Sequence, residues 1–343
     1  MLFLLEKFGS DCNVGQVAND GSTVLLQSCK NDRAVVATKI IDDFGAECRV
    51  GQVANDGDTA LIAACRSDMP AVATKIIDDF GAECRVGQVA NKDGTTALMW
   101  ACAHKSQDLI IHMLETFGAE CNVSCVDTGY CRDTAFMRVC ECNLKDVAIK
   151  MIDMFGSACN VGHVDNRGIT ALMFCCTTTM VDVAIKLIDT FGLDCLPQQA
   201  HFFTGHTALT RACSRNKIPH MAMKLIDQFG SFCNVKQHGI DGVTALIEAC
   251  YSGMTDVAIK LIDTFGKECD FGQVTKEQQN TALIIACRNG LADVALKMID
   301  LFGSECKIAH VNAKGESALT LALAHENENG MADVVAKLLA ASA

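Results

Sequence analysis

Cysteine is the residue type here with the widest chemistry, since its thiolate serves as nucleophile, redox centre and metal ligand. The chain holds 21 of them in 343 residues. Their spacing argues against a reactive role. Nine stand four residues after the phenylalanine of a Phe-Gly pair: Cys12, Cys48, Cys84, Cys121, Cys159, Cys195, Cys233, Cys269 and Cys306. Eight more stand six residues after a threonine: Cys29, Cys65, Cys102, Cys140, Cys176, Cys213, Cys250 and Cys287. Equivalent positions on stacked helices lie about 8–10 Å apart, beyond the roughly 7 Å Cα separation that a disulfide tolerates. Both columns therefore read as small buried hydrophobes with free thiols. Free thiols in turn imply a reducing compartment, cytoplasmic or nuclear.

The other candidate chemistry is thin. Cys121, Cys125, Cys131, Cys140 and Cys142 form a cluster, and Cys121 with Cys125 has zinc-ligand spacing. Cys140, however, belongs to a core column on another helix, so packing and surface thiols outweigh a metal site. Cys175-Cys176 reads as helix interior in the same way. No G-x-x-x-x-G-K-[ST], G-x-G-x-x-G, H-E-x-x-H or G-x-S-x-G pattern occurs, and the nine histidines keep no repeated spacing to an acid or a cysteine. The expectation is a non-catalytic protein with no cofactor, no metal and no small-molecule substrate.

Composition narrows the partners. A net charge of −12 without a basic cluster disfavours nucleic acid and anionic membrane surfaces. No apolar run approaches the roughly 20 residues that span a bilayer. Met1–Leu5 is apolar, but Glu6-Lys7-Phe8-Gly9 follows at once, so a secretory signal is not expected. With 50% hydrophobic and 20% charged residues, the chain has the composition of a folded protein.

The residues are positioned by one recurring unit, clearest in Gly242–Cys269, GVTALIEACYSGMTDVAIKLIDTFGKEC. Thr244 is placed to cap a first helix that runs through Ala245, Leu246, Ile247, Ala249 and Cys250, and Gly253 ends it. Thr255 and Asp256 open a second helix at its positive dipole end. Ala258, Leu261, Ile262 and Phe265 fall on one apolar face, with Lys260, Asp263 and Thr264 opposite. Gly266 stops the helix. Helices of about ten residues are marginal alone in water, so stacking must stabilise them.

The unit repeats at a fixed period. Phe-Gly pairs begin at Phe8, Phe44, Phe80, Phe117, Phe155, Phe191, Phe229, Phe265 and Phe302, at spacings of 36 to 38 residues. The helix-opening residues are Thr23, Thr59, Thr96, Thr134, Thr170, Thr207, Thr244, Thr281 and Ser317. Ala37–Asn55 recurs unchanged as Ala73–Asn91, the mark of an internal duplication. Such a period signals a solenoid.

The motifs resemble ankyrin repeats over essentially the whole chain. Thr-Ala-Leu-x-x-Ala-Cys is similar to the family's Thr-Pro-Leu-His-x-Ala-Ala. Asp-Val-Ala-x-Lys-Leu-Ile-Asp-x-Phe-Gly is similar to its second helix and glycine. Cys121-Asn122-Val123 and Cys159-Asn160-Val161 match the lead into its β-turn. There are three departures. The period exceeds the family's 33, mainly after the glycine; alanine replaces the proline; and the histidine position holds Leu26, Ile62, Met99, Met137, Met173, Thr210, Ile247, Ile284 and Thr320. The resemblance implies an all-α solenoid of stacked helix-turn-helix pairs with connecting turn fingers. It would form one domain over 1–343, with a partial repeat at 1–20, regular repeats at 21–316 and a C-terminal repeat at 317–343, about eight full helix pairs in all. Distorted fingers are expected at Ser124–Thr134, where Arg132 replaces glycine, and at Leu196–Thr207, which carries His201-Phe202-Phe203.

In such an array the first helices and finger tips line a concave groove, so the resemblance implies binding of another protein there. The position four residues after the threonine varies most: Gln27, Ala63, Trp100, Arg138, Phe174, Arg211, Glu248, Ile285 and Leu321. Trp100, Arg138, Phe174 and Arg211 fall in consecutive repeats and suggest a contiguous stripe, and tryptophan and arginine are enriched at interface hot spots. Trp100 and Phe174 either fill gaps between first helices or touch the partner; Arg138 and Arg211 are either solvated or partner contacts. Glu248 belongs to the same column, and Tyr251 and His104 extend its rim. Two alternatives accompany this scaffold reading. One is a substrate adaptor for a ubiquitin ligase within a longer protein. The other is a target of asparagine hydroxylation at Asn122, Asn160 and Asn234, positions that match the family's turn asparagine by resemblance.

Overall fold

A computed structural model describes residues 12–178, 180–214, 219–328 and 330–342. Met1–Gly9, expected to be a lone second helix, lies outside them, as does Asn329 of the acidic insertion. The described residues form nine helix pairs and no named strand. Their contacts divide the chain into two compact units, Met1–Asn166 and Arg167–Ala343. The first unit holds the pairs that begin at Val24, Ala60, Ala97 and Ala135; the second holds those that begin at Ala171, Ala208, Ala245, Ala282 and Ala318. A full pair therefore closes the second unit, one more than the eight expected.

Each first helix is short, five to eight residues, and begins where its threonine predicts. The Thr244 hydroxyl accepts from the Ile247 backbone N–H at 3.3 Å, and Thr59 does the same for Ile62 at 3.2 Å. Ser317 serves the last pair with a full capping box, in which Thr320 returns the bond. Each such cap contributes about 1 kcal/mol. The second helix, Thr255–Phe265 in the reference unit, buries Ala258, Leu261, Ile262 and Phe265 as its periodicity predicts. Gly266 stops it at φ +52°, a conformation that a side chain would strain.

The residues beyond that glycine account for the lengthened period. A 3-10 turn, Gly266–Cys269, follows the second helix, and the same turn recurs at Gly45–Cys48, Gly118–Cys121 and Gly192–Cys195. Its cysteine points back into the core. Cys269 donates its S–H to the Leu261 carbonyl at 3.3 Å, and Cys121 to Met113 at 3.2 Å. The residue after it takes the left-handed conformation, as at Arg49, Asn122, Asn160, Asn234 and Asp270. None of the 21 cysteines is joined in a disulfide. Burial pushes Cys29 and Cys250, in the helix column, up to about 12, and Cys269 and Cys306 equally in the other.

The fingers are joined edge to edge by single backbone bonds. In the first unit Asn55 N donates to Asp20 O at 2.9 Å, Asn91 N to Asp56 O at 2.8 Å and Thr128 N to Asp93 O at 2.8 Å. In the second, Phe202 N donates to Arg167 O at 2.8 Å, Ile240 N to Thr204 O at 2.9 Å and Lys276 N to Asp241 O at 2.7 Å. A side-chain peg runs beside this ladder. Gln52 Nε2 reaches Gly21 O at 3.0 Å, and Gln273 Nε2 reaches Gly242 O at 3.1 Å. The carbonyl that receives the peg belongs to the positive-φ residue of the preceding finger.

The two fingers expected to be distorted keep this scheme. Arg132 takes φ +60°, close to the +67° of Gly94, and its carbonyl still receives His163 Nε2 at 2.6 Å. The neighbouring bonds hold an L-residue in the glycine conformation. The extra residues are absorbed in wider loops closed by isolated bridges, Val126↔Thr134 and Ala200↔Thr207. Because Arg132 carries a left-handed penalty that glycine lacks, Arg132→Gly is expected to raise stability by about 0.5–1 kcal/mol. An unchanged or lowered urea midpoint would refute that.

On the second helices, lysines bridge to acids one repeat earlier. Lys75 pairs with Asp42 at 2.7 Å and His112 with Asp78 at 2.7 Å in the first unit; Lys260 pairs with Asp227 at 2.5 Å and Lys297 with Asp263 at 2.6 Å in the second. These pairs are exposed, so each contributes little. Packing of the apolar faces carries the fold.

Candidate interaction surface

The side chains singled out by their variability sit on the first helices, and most of them turn toward the finger of their own repeat. In the first unit the Trp100 indole N–H donates to Thr95 Oγ1 at 2.8 Å. The Arg66 guanidinium stands over its ring, 5.2 Å from the centroid, and the His104 ring is stacked with it at 6.1 Å. His104 Nε2 is 3.0 Å from the Arg66 backbone carbonyl, so Trp100, His104 and Arg66 form one group. Arg66 also binds the buried Asp58 and reaches Asp93 at 3.4 Å. Arg138 is held in the same way: its guanidinium donates to Asp127 Oδ2 at 2.6 Å. Asp127 is only 2% exposed and also accepts from the backbone N–H of Gly129 and Asp133. The arginine thus neutralises a buried carboxylate that shapes its finger.

In the second unit Phe174 is 7% exposed, with the Arg167 guanidinium 5.5 Å from its ring centroid. Arg211 donates to Thr177 Oγ1 at 2.7 Å. Glu248 and Tyr251 come together differently. With Ile240, Asp241, Lys276 and Glu277 they line an open hollow of about 840 Å³ between the first helix and two fingers. The Tyr251 hydroxyl accepts from Asn280 Nδ2 at 3.0 Å. Asn280 is fully buried, and its Oδ1 also receives Asn312 Nδ2 at 2.8 Å and Arg288 at 3.3 Å. That network fixes the tyrosine over the hollow.

The fingers beside it expose large apolar groups: Phe202 at 63%, Phe203 at 59% and Ile240 at 69%. Tyr130 does so at 81% in a finger of the first unit. Asn122 and Asn160 are half-buried and Asn234 exposed, all in the left-handed position that begins a finger. Several structural partners carry signals that sequence reasoning passed over. Arg66 and Arg288 stand seven residues after their threonines, Asp56, Asp93 and Asp241 stand three before theirs, and glutamine recurs in Val-Gly-Gln-Val. Among the described residues no three His, Cys, Asp or Glu side chains converge as metal ligands, and no helix is long and apolar enough to cross a membrane.

Stacked pairs of antiparallel helices joined by fingers agree with the family comparison, in which residues 45–125 match the model for ankyrin repeats in three copies. Residues 45–125 carry ankyrin repeats. No curated protein matches the sequence. Among solved structures, the crystal structure of the human ASB11 ankyrin repeat domain is similar at 18% identity, covering 71% of this chain and 99% of that chain, with a TM-score of 0.47. Ankyrin repeats generally mediate protein–protein interaction and are typically non-catalytic, and this array is an all-α solenoid of that type.

Proposed function

We propose that the chain is a non-catalytic recognition array that holds a partner protein against the face made by its fingers and first helices. The observation that carries this reading is the exposure of Phe202, Phe203 and Ile240 on adjoining fingers, of which Ile240 lines an open hollow, in a fold whose other large apolar side chains are mostly buried. Exposed aromatic groups around a concavity favour macromolecular contact over a small substrate. Glu248 and Tyr251 contact the partner directly in this reading, together with Arg211. Trp100, Arg138 and His104 contribute by holding fingers and neighbouring side chains in place as well as by their own exposed edges, and the buried Phe174 contributes only by packing.

The test is capture from a native extract by three proteins: the unaltered chain, the double variant Phe202→Ser, Phe203→Ser, and a control, Leu193→Ser, on an exposed residue of a 3-10 turn. All three should keep the same helical content. Capture should survive in the control and fall by roughly tenfold in the finger variant, the effect of losing two interface aromatics. Equal capture by all three would sink the proposal.

A further inference from the structure

We infer that the outer face of the last helix pair, Ala318–Ala324 with Met331–Ser342, pairs with the same face of a second copy of the chain. Self-pairing there is independent of the recognition reading above, which concerns the fingers. Burial along the repeat columns singles this face out. In the second unit each pair is covered by the pair after it, as Ala282–Arg288 is by Ala318–Ala324 and Ala292–Phe302 by Met331–Ser342. Ile188, Ile226 and Ile262 are accordingly 1% exposed and Ile299 9%, whereas Leu339, at the same position of the last pair, is 53% exposed. Cys176, Cys213, Cys250 and Cys287 are fully buried, whereas Leu323 in their column is 47% exposed. Leu283 is buried and its counterpart Leu319 only half-buried. Among the described residues, the last pair thus presents the stacking face that its predecessors bury. It carries leucines where the terminal repeat of a solenoid turns polar.

Charge indicates what covers it. On the second helices a lysine pairs with an acid one repeat earlier: Lys224 with Asp189 at 2.5 Å, Lys260 with Asp227 at 2.5 Å, Lys297 with Asp263 at 2.6 Å, and Lys337 with Asp300. Ala340 stands where the next acid of that row would be, so a further pair of the same kind would leave its lysine without an acid. The first helix, ALTLALA, carries no charge. On the second, Asp333 lies in the first turn and Lys337 is held by Asp300. Two copies of this face therefore meet leucine and alanine against leucine and alanine, with no charge to desolvate between them. A two-fold axis closes such a contact at two chains. Size sets its strength. Two helices of 7 and 12 residues, each about 8–10 Å wide, offer less than the roughly 800 Å² per partner of a stable complex. That fits a weak dimer, opposed at long range only by the net charge of −12 on each copy.

The test is sedimentation of the full chain under reducing conditions, from about 1 to about 200 μM. The mass should rise from one chain to two and stop there, with a dissociation constant on the order of 10–100 μM. Because the copies carry like charge, added salt should tighten the dimer. Leu339→Glu and Leu323→Glu should each weaken it by about tenfold or more. Their melting temperatures should stay near the unaltered protein's, since both side chains are already exposed. The double variant Phe202→Ser, Phe203→Ser should dimerise as the unaltered chain does. A monomer at every concentration, growth past two chains, or a dimer indifferent to both glutamates overturns the inference. A monomer whose Leu339→Glu variant loses a protein captured from native extract overturns it too, and gives the face to a foreign helix. A dimer lost only in the Phe202/Phe203 variant places self-contact on the fingers and removes this inference together with the recognition reading's claim on them.

Discussion

Raised above about pH 9, the protein is expected to unfold cooperatively under reducing conditions, with a helical midpoint between about pH 9 and 10. The sign follows from the thiols. Each starts from 9.0 when solvated, and burial pushes Cys29, Cys121, Cys159, Cys195, Cys233, Cys250, Cys269, Cys287 and Cys306 up to about 12, and Cys48 and Cys84 to about 11. Cys65, Cys102, Cys176 and Cys213 are raised for the same reason. Below 9.0 both states keep their protons, and the stability from burial is fully present. Above it the unfolded chain releases protons that the fold retains, so stability falls as pH rises toward the folded values. One unit above 9.0, each such thiol costs about 1.4 kcal/mol. A handful of these losses cancels the roughly 5–15 kcal/mol that holds a domain together.

Circular dichroism across the alkaline range, with reductant present, measures this directly. A double replacement, Cys250→Ala and Cys287→Ala, separates the thiols from other titrating groups. It should move the alkaline midpoint upward while lowering the urea midpoint at neutral pH, because each lost sulfur leaves a small cavity. Persistence of native helix to about pH 11 would contradict the burial assigned to the two columns.

The second large effect is expected at Phe136. It occupies the place held by Leu61, Leu98 and Leu246 in other repeats, and it is completely buried. Phe136→Ala should destabilise the first unit by about 3–5 kcal/mol, the transfer and cavity cost of a buried phenylalanine. Phe136→Leu restores the residue the column otherwise holds and should cost about 1 kcal/mol or less. Urea denaturation gives both values, and amide exchange gives their location. In a stack each repeat touches only its neighbours, so protection should fall most in Ala135–Phe155 and the pair before it. A uniform loss over the chain, or a leucine variant as unstable as the alanine one, would show that the repeats are not the units of stability.

Much of this was legible in the chain because the governing interactions are local. A threonine caps the helix it precedes, as Thr244 does for Ile247, and a glycine stops the helix it follows, as Gly266 does. Ala258, Leu261, Ile262 and Phe265 share a face by helical geometry alone, and the cysteine column of the first helices, Cys250 among them, inherits its burial from such a face. The lengthened period was visible as well, though not its form, a 3-10 turn that returns a thiol to the Leu261 carbonyl.

The fate of the variable column was not legible. Trp100 meets Arg66, 34 positions earlier in sequence, and Arg138 turns to Asp127 in the finger before its own helix. The same column position is open to solvent or enclosed according to what the neighbouring repeat presents, as with buried Ile285 and half-buried Glu248. Arg132 shows the same limit: its residue type argued for distortion, while bonds to the next finger hold it at a glycine's dihedral. Sequence by itself determined the repeat, its helices, its caps and its core, because those depend on contacts within a few residues. Only the tertiary structure decided which variable side chains brace a finger and which line the Glu248–Tyr251 hollow, because that depends on side chains brought together from adjacent repeats.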